Sequence, residues 1–355
     1  MEKRALAQPL ATSTSDERQM NLSRTALTAL CFAGLAVTSA HADNFGSGAN
    51  QFIIDFVSIG DPGNPVDTGT TGSYFSSYGA VGYTFQMGKY EVSRDMITKA
   101  NATVGSGGGG LGITLNNMTD FGGNIGTHPA TGMSWNEAAR FVNWLNTSQS
   151  YAPAYKFTLQ PGDGDYTANA NIVLWQVGDT GYDASNPYRN SAAHYFLPSE
   201  NEWYKAAYYS GSGSTYYDYA TQQNAPTTPT AVGSGTAAGS AVYGQSSGTG
   251  PANIDQAGGL SHYGTMGQNG NVWELQESAF TAPNDSSSED RAFRGGNWDD
   301  PELILRSSFR FNFDPTGELD FVGFRVASVP EPSCAVLMLG SGLILLARRR
   351  RERSL

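Results

Sequence analysis

The stretch 270–325 constrains the fold more than any other part of this chain. Glycine, asparagine, tryptophan and arginine recur there with little aliphatic sequence between them, in four blocks: GNVWEL at 270–275, FRGGNWDD at 293–300, RSSFRF at 306–311 and GFRVAS at 323–328. Paired glycines allow two backbones to approach closely, and buried tryptophans contribute large apolar faces with one donor each. We therefore predict a loop-rich domain whose arginines tie loops together through carbonyls and carboxylates.

Two segments carry the pattern of a capped helix. Ser134 with Glu137, and Ser199 with Glu202, each form an S-x-x-E box, in which both side chains bond to backbone N–H groups of the first turn. Apolar residues follow at helical spacing, and elsewhere short apolar runs alternate with Gly, Asn and Asp turns. The pattern predicts an α+β domain with two helices on a small antiparallel sheet. We interpret the Gly- and Ser-rich stretch 210–250 as a long loop inside that domain.

Taken in order, the blocks resemble the formylglycine-generating enzyme family, also called sulfatase-modifying-factor domains. Three earlier segments match the same family: KYEVSRDMI at 89–97 as an N-terminal strand, HPATGMSWNEAARFVNWLN at 128–146 as a helix, and YFLPSENEWYKAAYY at 195–209. The resemblance covers about residues 51–328. It implies a C-type-lectin-like, formylglycine-generating-enzyme fold that is rich in loops and has little regular secondary structure.

The cysteines argue against the chemistry of that family in this chain. The resemblance implies oxidation of a substrate cysteine by two copper-binding cysteines, whereas the two cysteines here, Cys31 and Cys334, lie in apolar terminal segments. The matching positions fall near Glu302 and at Ser307. Because serine provides no thiolate for Cu(I) or for a mixed disulfide, we predict no copper site and a binding or structural role. The alternative is a formylglycine-generating-type oxidase, or another non-haem metal oxidase, with an atypical site.

The N-terminal segment predicts export. A basic residue precedes an apolar run at 26–37, and A-H-A at 40–42 follows as a cleavage pattern. We interpret residues 1–42 as a signal peptide whose true start is Met20, and we predict a mature N-terminus at Asp43. A buried N-terminal helix is the alternative.

Residues 329–355 resemble a PEP-CTERM sorting tail. The motif VPEP at 329–332 is followed by an apolar run at 334–347 and four arginines at 348–351. This run is shorter than the ~20 residues of an ordinary spanning helix, and the arginines favour the cytoplasmic side. The resemblance implies that an exosortase of a Gram-negative bacterium processes the tail. Until then this short transmembrane helix would anchor the domain, residues 43–328; a plain membrane anchor is the alternative.

Net charge narrows the choice of partners. The whole chain has a formal charge of −11, and residues 43–329 hold 12 Lys and Arg against 27 Asp and Glu, a balance of −15. Such a surface repels phosphate backbones and anionic lipid headgroups. We therefore expect no nucleic-acid partner. The signal peptide and the resemblance to an exosortase-sorted tail imply a protein of the cell envelope or extracellular space, with a role in an exopolysaccharide or biofilm matrix.

The resemblance also implies two calcium sites. One would use the Asn253 side chain and the Ile254 carbonyl, and the other the carbonyls of Gly270 and Val272 with the carboxylate of Glu274. Oxygen-only ligation suits Ca²⁺. In the alternative interpretation, these polar groups satisfy buried backbone groups instead.

A ligand cleft is expected beside the missing cysteines. The resemblance carries over Trp298, Asp299, Arg306 and Ser307 as its lining. Aromatic residues with a few polar groups are the usual composition of a binding pocket, and the ligand would be a glycan or a peptide. Ser307 lacks the G-x-S-x-G context of a hydrolytic nucleophile. The histidines show no H-x-x-H spacing, so the sequence indicates a histidine metal centre only if distant histidines meet in space.

Overall fold

The computed structural model describes residues 41–69, 77–103 and 110–330. The predicted signal peptide up to residue 40 and the predicted sorting tail from residue 331 lie outside these ranges. Within the described part of the chain, no helix combines the length and the apolar character needed to cross a membrane.

The described residues form three α-helices: α1 Arg94–Thr103, α2 Trp135–Ser148 and α3 Glu200–Tyr208. Both predicted capping boxes are present, because the serine preceding α2 and the serine preceding α3 each accept from the backbone N–H of the glutamate three residues on, whose side chain accepts in return. The two helices therefore begin where the sequence predicts.

Helix α1 corrects the interpretation of the segment 89–97 as a strand. Strand β3 ends at Gly88, and the chain turns into α1 only six residues later. Ser93 caps this helix by accepting from the Met96 backbone N–H at 3.3 Å. Because methionine replaces the glutamate of a full S-x-x-E box here, the sequence lacked the signal that revealed the other two helices.

Helix α2 supplies much of the core. The apolar residues at helical spacing, Trp135, Ala138, Ala139, Val142 and Leu145, are each no more than 1 % exposed and belong to the largest hydrophobic cluster. Burial of one such large side chain contributes about 1.5–3 kcal/mol. The helix therefore anchors the loops that surround it.

Thirteen short strands complete the described elements, each joined to its neighbours by backbone hydrogen bonds. They are β1 His41–Phe45, β2 Phe52–Ile59, β3 Phe85–Gly88, β4 Lys156–Phe157, β5 Ile172–Val173, β6 Tyr195–Phe196, β7 Thr230–Val232, β8 Ser240–Val242, β9 Trp273–Ala279, β10 Arg291–Arg294, β11 Phe311–Phe313, β12 Val322–Gly323 and β13 Ala327–Ser328. Most have two to five residues, which agrees with a fold dominated by loops.

The strands form more sheets than the single small antiparallel sheet predicted. An antiparallel five-stranded sheet has the order β1-β2-β3-β13-β6, and a four-stranded sheet has the order β11-β10-β9-β12. The second sheet is mixed, because β12 runs parallel to β9. The first sheet curls, since Tyr195 on the outer strand β6 packs edge-on against Phe45 on the opposite outer strand β1 at 5.2 Å.

The stretch 210–250 packs into the domain. It contains the parallel pair β7–β8, and Val242 on β8 forms a bridge with Gly270, the first residue of the GNVWEL block. A Cβ at Gly270 would lie 2.0 Å from the Val242 carbonyl oxygen. This close approach, at a φ of +77°, is the physical reason for a glycine at that position.

Candidate functional site

The arginines of the four blocks form a buried ionic framework. Arg325 and Glu274 are both 0 % exposed, and the guanidinium donates from Nε and Nη2 to the two carboxylate oxygens at 2.5 Å. Arg294 and Arg310 share Glu200, each with a nitrogen–oxygen distance of 2.7 Å. Arg294 also donates to two loop carbonyls at 2.7 and 2.9 Å. These contacts confirm the prediction that arginines tie the loops together.

A second carboxylate lies beside the Arg325–Glu274 pair. Glu91 is 1 % exposed and accepts from Asn271 Nδ2 at 2.9 and 3.2 Å. Burial, followed by repulsion from Glu274, raises the pKa of Glu91 well above its usual range, while Arg325 acts in the opposite direction. A Cβ on Gly267 would lie only 2.8 Å from this carboxylate. The glycine therefore leaves the room that the second acid occupies.

Glu274, an expected calcium ligand, already has partners for both carboxylate oxygens. Both of its oxygens accept from Arg325, and Oε2 also accepts from Trp203 Nε1 at 2.7 Å. A cation at this position would have to displace a fully buried guanidinium. The Gly270–Val272–Glu274 set therefore does not fit calcium.

The other expected set retains accessible oxygen donors. Asn253 and Ile254 are partly exposed, and Asn253 Oδ1 accepts from Thr127 Oγ1 at 2.6 Å. Ile254 borders a cavity of about 270 Å³ that Asp255 and Asp55 also line. The donor chemistry here, an amide oxygen, a carbonyl and carboxylates, suits Ca²⁺.

A larger groove of about 660 Å³ opens beside the four-stranded sheet. Seven aromatic residues and three aspartates contribute to its lining: Phe121, Trp273, Phe293, Trp298, Phe311, Phe313 and Phe321, with Asp299, Asp300 and Asp320. None of the described lining residues is a lysine or an arginine. The groove therefore combines an apolar wall with negative charge.

The aromatic wall is rigid on one side and open on the other. Trp298 is 2 % exposed, and its Nε1 donates to the Ser247 carbonyl at 2.9 Å. Trp273 packs edge-on against Phe311 at 5.3 Å. In contrast, Phe311 and Phe313 are 48 % and 38 % exposed; one face of Phe311 stacks on Phe293, and the exposed part of each ring can contact a ligand.

The aspartates differ in their environment. Asp299 is exposed, whereas burial raises the pKa of Asp300, which accepts from the Asn297 backbone N–H at 2.9 Å. Asp320 accepts a hydrogen bond from Asn116 Nδ2. Asp299 is therefore the carboxylate with the fewest constraints on contacting a ligand.

Sequence reasoning missed most of this groove. The alternation of Phe311, Asn312 and Phe313 has the period of a strand with one aromatic face, and that signal was available in the sequence. Phe121 reaches the groove from a distant part of the chain, and its neighbouring sequence gave no signal for this contact.

Histidines do not assemble into a metal centre in the described part of the chain. His194 stacks on Tyr151 at 4.5 Å, and His262 packs edge-on against Tyr263 at 5.2 Å. Burial lowers the pKa of His128, with help from Arg94. No group of three His, Cys, Asp or Glu side chains among the described residues is arranged to hold a metal ion.

Comparison with known proteins identifies the family to which the domain belongs. A family model described as "Sulfatase-modifying factor enzyme 1-like domain" matches residues 77–329. The chain belongs to this family. Similar solved structures include Treponema denticola variable protein 1, at 19 % identity, a TM-score of 0.56, and coverage of 82 % of this chain and 100 % of that one. CarF is 19 % identical, with a TM-score of 0.52 and coverage of 78 % and 99 %.

No curated protein sequence matches the chain. At 19 % identity the two structures indicate the fold alone. Together with the family match, they confirm the predicted loop-rich α+β fold of the formylglycine-generating-enzyme type.

Within this sulfatase-modifying-factor domain, the four expected cleft residues do not line one cavity. Trp298 and Asp299 line the groove, whereas Arg306 and Ser307 do not. The short 3₁₀ helix Glu302–Leu305 separates the two pairs along the chain.

Arg306 and Ser307 have partners of their own. Arg306 pairs with Glu302 at 3.0 Å and donates to Tyr219 Oη at 2.9 Å. The Ser307 backbone N–H donates to the Asp218 carbonyl at 2.8 Å, and the side chain is 8 % exposed. The position expected to hold a family cysteine is therefore a buried serine that contacts the 210–250 segment.

Proposed function

We propose that this protein is an exported binding protein of the cell envelope or extracellular matrix. Its sulfatase-modifying-factor domain would hold an extended, positively charged peptide segment in the groove, without copper–cysteine chemistry. The meeting of an edge strand, an aromatic wall and three carboxylates carries the proposal.

The edge strand is β11. It pairs with β10 on one side and is the last strand of its sheet in the described structure. An edge strand presents backbone N–H and C=O groups to which an extended peptide can add as a further strand. Because Phe311 and Phe313 lie on this strand, a peptide paired there would also contact their exposed rings.

Charge selects the kind of peptide. The groove contains Asp299, Asp300 and Asp320, and its described lining has no positively charged residue. Lysine or arginine side chains would therefore interact favourably with the groove, while acidic peptides would be repelled. Aromatic rings can hold the same cations by cation–π contact.

The oxidase alternative is less well supported. Ser307 stands at one of the positions where the resemblance implies a cysteine, and serine cannot supply the thiolate that holds Cu(I). A formylglycine assay on a C-x-P-x-R peptide tests this directly. Turnover above a no-enzyme control would contradict the binding proposal.

Binding can be measured by fluorescence polarisation with labelled extended peptides that carry lysine and aromatic residues. Asp299→Asn is expected to weaken binding roughly two- to fivefold, since an exposed charge contributes about 0.2–1 kcal/mol. Phe311→Ala is expected to weaken it roughly tenfold or more as the loss of an aromatic contact. Asp165→Asn is a matched control, because Asp165 is exposed at a positive φ of 62°, which asparagine tolerates.

Backbone pairing has its own test. If the peptide adds to β11, N-methylation of one alternate set of residues is expected to abolish binding and methylation of the other set to spare it, because only every second N–H group faces the partner strand. Equal binding of both methylated peptides and the unmethylated peptide would contradict strand addition. Equal binding of a neutral glycan would contradict the peptide as the ligand.

Export rests on the two terminal sequence patterns, which motivate a separate test. Asp43 is expected to be the N-terminus of the mature protein. Cleavage there would remove His41 and Ala42 from β1, whose residues 41–45 pair with residues 52–56 of β2, and would leave three of the five pairs. Mass spectrometry of the secreted protein would show whether the chain begins at Asp43 and whether the 331–355 tail has been removed by an exosortase.

We also propose a calcium ion at Asn253 and Ile254. The support is the oxygen donors at the edge of the Asp255-lined cavity. The ion would hold the 253–256 turn against the rest of the domain. It would contribute stability rather than chemistry.

A further inference from the structure

We propose that a second cavity, separate in its lining from the groove, binds a carboxylate-bearing sugar. Helix α2 and the β4–β5 hairpin form this hairpin cavity, which has a volume of about 470 Å³. That size lies within the usual range for small-ligand sites. Of its described lining residues, Arg140 and Lys156 are cationic and none is acidic. In a chain with a net charge of −11, such a composition is unexpected unless it serves a ligand.

Arg140 is a buried cation whose described partners are neutral. It is 3 % exposed and lies over the rings of Phe157 and Tyr166, at 3.9 and 4.6 Å from their centroids. Its hydrogen bonds go to backbone carbonyls: Leu159, Thr167, Ala168 and Ala170. Burial lowers the pKa of the guanidinium, and Tyr166 and Glu137 oppose this. All three guanidinium nitrogens therefore donate to carbonyls, and this lining residue of the cavity has no described carboxylate paired to it.

Glu137, the acidic residue nearest to Arg140 on α2, does not form an ion pair with it. It lies one turn earlier on α2, and its Oε2 accepts from the Ser134 backbone N–H at 2.8 Å in the capping box. Its side chain does not line the hairpin cavity. An anion from solvent is the partner that the geometry still allows for Arg140.

Lys156 contributes a second positive charge to the hairpin cavity, and its ion-pair partner can be exchanged. Its Nζ lies 2.6 Å from Asp179 and 5.7 Å from the centre of the Trp175 ring. Both members of this pair are partly exposed, with side-chain accessibilities of 34 % and 29 %. A ligand carboxylate can therefore compete with Asp179 for the ammonium group.

The remaining lining suits a sugar ring. Trp144 and Trp175 are partly exposed, and the negative face of an indole ring attracts the weakly positive C–H face of a pyranose. Gln160 adds an amide group that can exchange hydrogen bonds with hydroxyls, whereas both ends of the Asn143 amide bond the Tyr155 backbone, at 2.7 and 2.8 Å. Cations, flat aromatic faces and an amide together favour a uronic acid over a neutral sugar or a purely aromatic acid.

Isothermal titration calorimetry of the purified protein tests this site with three probes: the trisaccharide of galacturonic acid, the neutral trisaccharide of galactose, and benzoate. We expect binding of the uronic acid only. Lys156→Gln is expected to weaken it roughly two- to fivefold, and Trp175→Ala roughly two- to tenfold.

Asp179→Asn is the decisive variant, because it removes the negative charge that attracts Lys156, while an asparagine oxygen can still accept from the Gln176 backbone N–H, now at 2.7 Å. We expect it to tighten uronic acid binding roughly two- to fivefold. Lys99→Gln is the matched control, since Lys99 forms a similar exposed pair with Asp95 at 2.7 Å on α1. A melting temperature for each variant shows that it is folded.

Three results would overturn the proposal. The first is no uronic acid binding at millimolar concentration, with or without benzoate binding. The second is equal binding of the neutral trisaccharide. The third is a change of affinity in the same direction for Lys156→Gln and Asp179→Asn, since loss of structure at the hairpin would weaken both. Binding of the uronic acid with opposite shifts in the two variants supports it, whatever the peptide assays on the groove show.

Discussion

Replacing Arg325 with methionine is expected to destabilise the domain far more than replacing Glu274 with glutamine, although both changes break the same ion pair. Arg325→Met leaves two buried carboxylates, Glu274 and Glu91, without their shared cation. Glu274→Gln leaves Arg325 with Glu91 as a remaining anion, and it also removes the repulsion that helps to raise the pKa of Glu91.

The two losses can be estimated. Removing one partner of a buried ion pair costs about 3–5 kcal/mol, and both members of this pair are 0 % exposed. For a domain of this size 1 kcal/mol corresponds to about 2–4 °C, so Arg325→Met is expected to lower Tm by roughly 6–20 °C. Glu274→Gln weakens a charged hydrogen bond, and this is expected to lower the free energy of unfolding by about 1.5–3 kcal/mol.

Urea and thermal unfolding at several pH values would measure both changes. In Arg325→Met the pKa of Glu91 is expected to rise further, because the guanidinium that lowers it is gone, so the folded state should bind more protons than the unfolded state. Stability relative to wild type should therefore fall as pH rises above the unfolded carboxyl pKa of ~4.3, and the loss should be largest near pH 8. Two results would refute the coupling of Glu91 to the Arg325–Glu274 pair. One is an equal loss of stability in the two variants, and the other is a loss of stability in Arg325→Met that does not change with pH.

Three further predictions follow from the same structure. Glu91→Gln should raise Tm near pH 8 and change it little near pH 4, because a raised carboxyl pKa destabilises the fold only where the unfolded group is ionised; a lower Tm at pH 8 would contradict this. Ser134→Ala should lower the free energy of unfolding, measured in urea, by about 1 kcal/mol through loss of the helix cap, whereas Ser134→Thr should retain most of the cap's stabilisation. Removing calcium with EGTA should lower Tm of the wild type but not of Asn253→Ala, and an unchanged wild-type Tm would argue against the ion.

The sequence alone determined the features that depend on neighbours along the chain. The boxes at Ser134 and Ser199 predicted where α2 and α3 begin, because a cap and its glutamate lie within one helical turn. The Gly, Trp and Arg blocks predicted the family fold and the role of the arginines. Serine at position 307, where the resemblance implies a cysteine, is the basis for the prediction that the copper chemistry is missing.

Only the tertiary structure decided which side chains meet. Glu91 lies beside Glu274, although 183 positions separate them in the chain, and Phe121 reaches the groove that Trp298 lines. Conversely, Arg306 follows Trp298 closely in sequence but lies outside the groove. Periodicity and capping report contacts within a few residues, whereas curled sheets and long loops bring distant residues together by packing. For that reason the local pattern could indicate single residues of the acidic groove, such as Trp298 and Asp299, but not how the groove, the buried carboxylate pair or the cationic hairpin cavity is assembled.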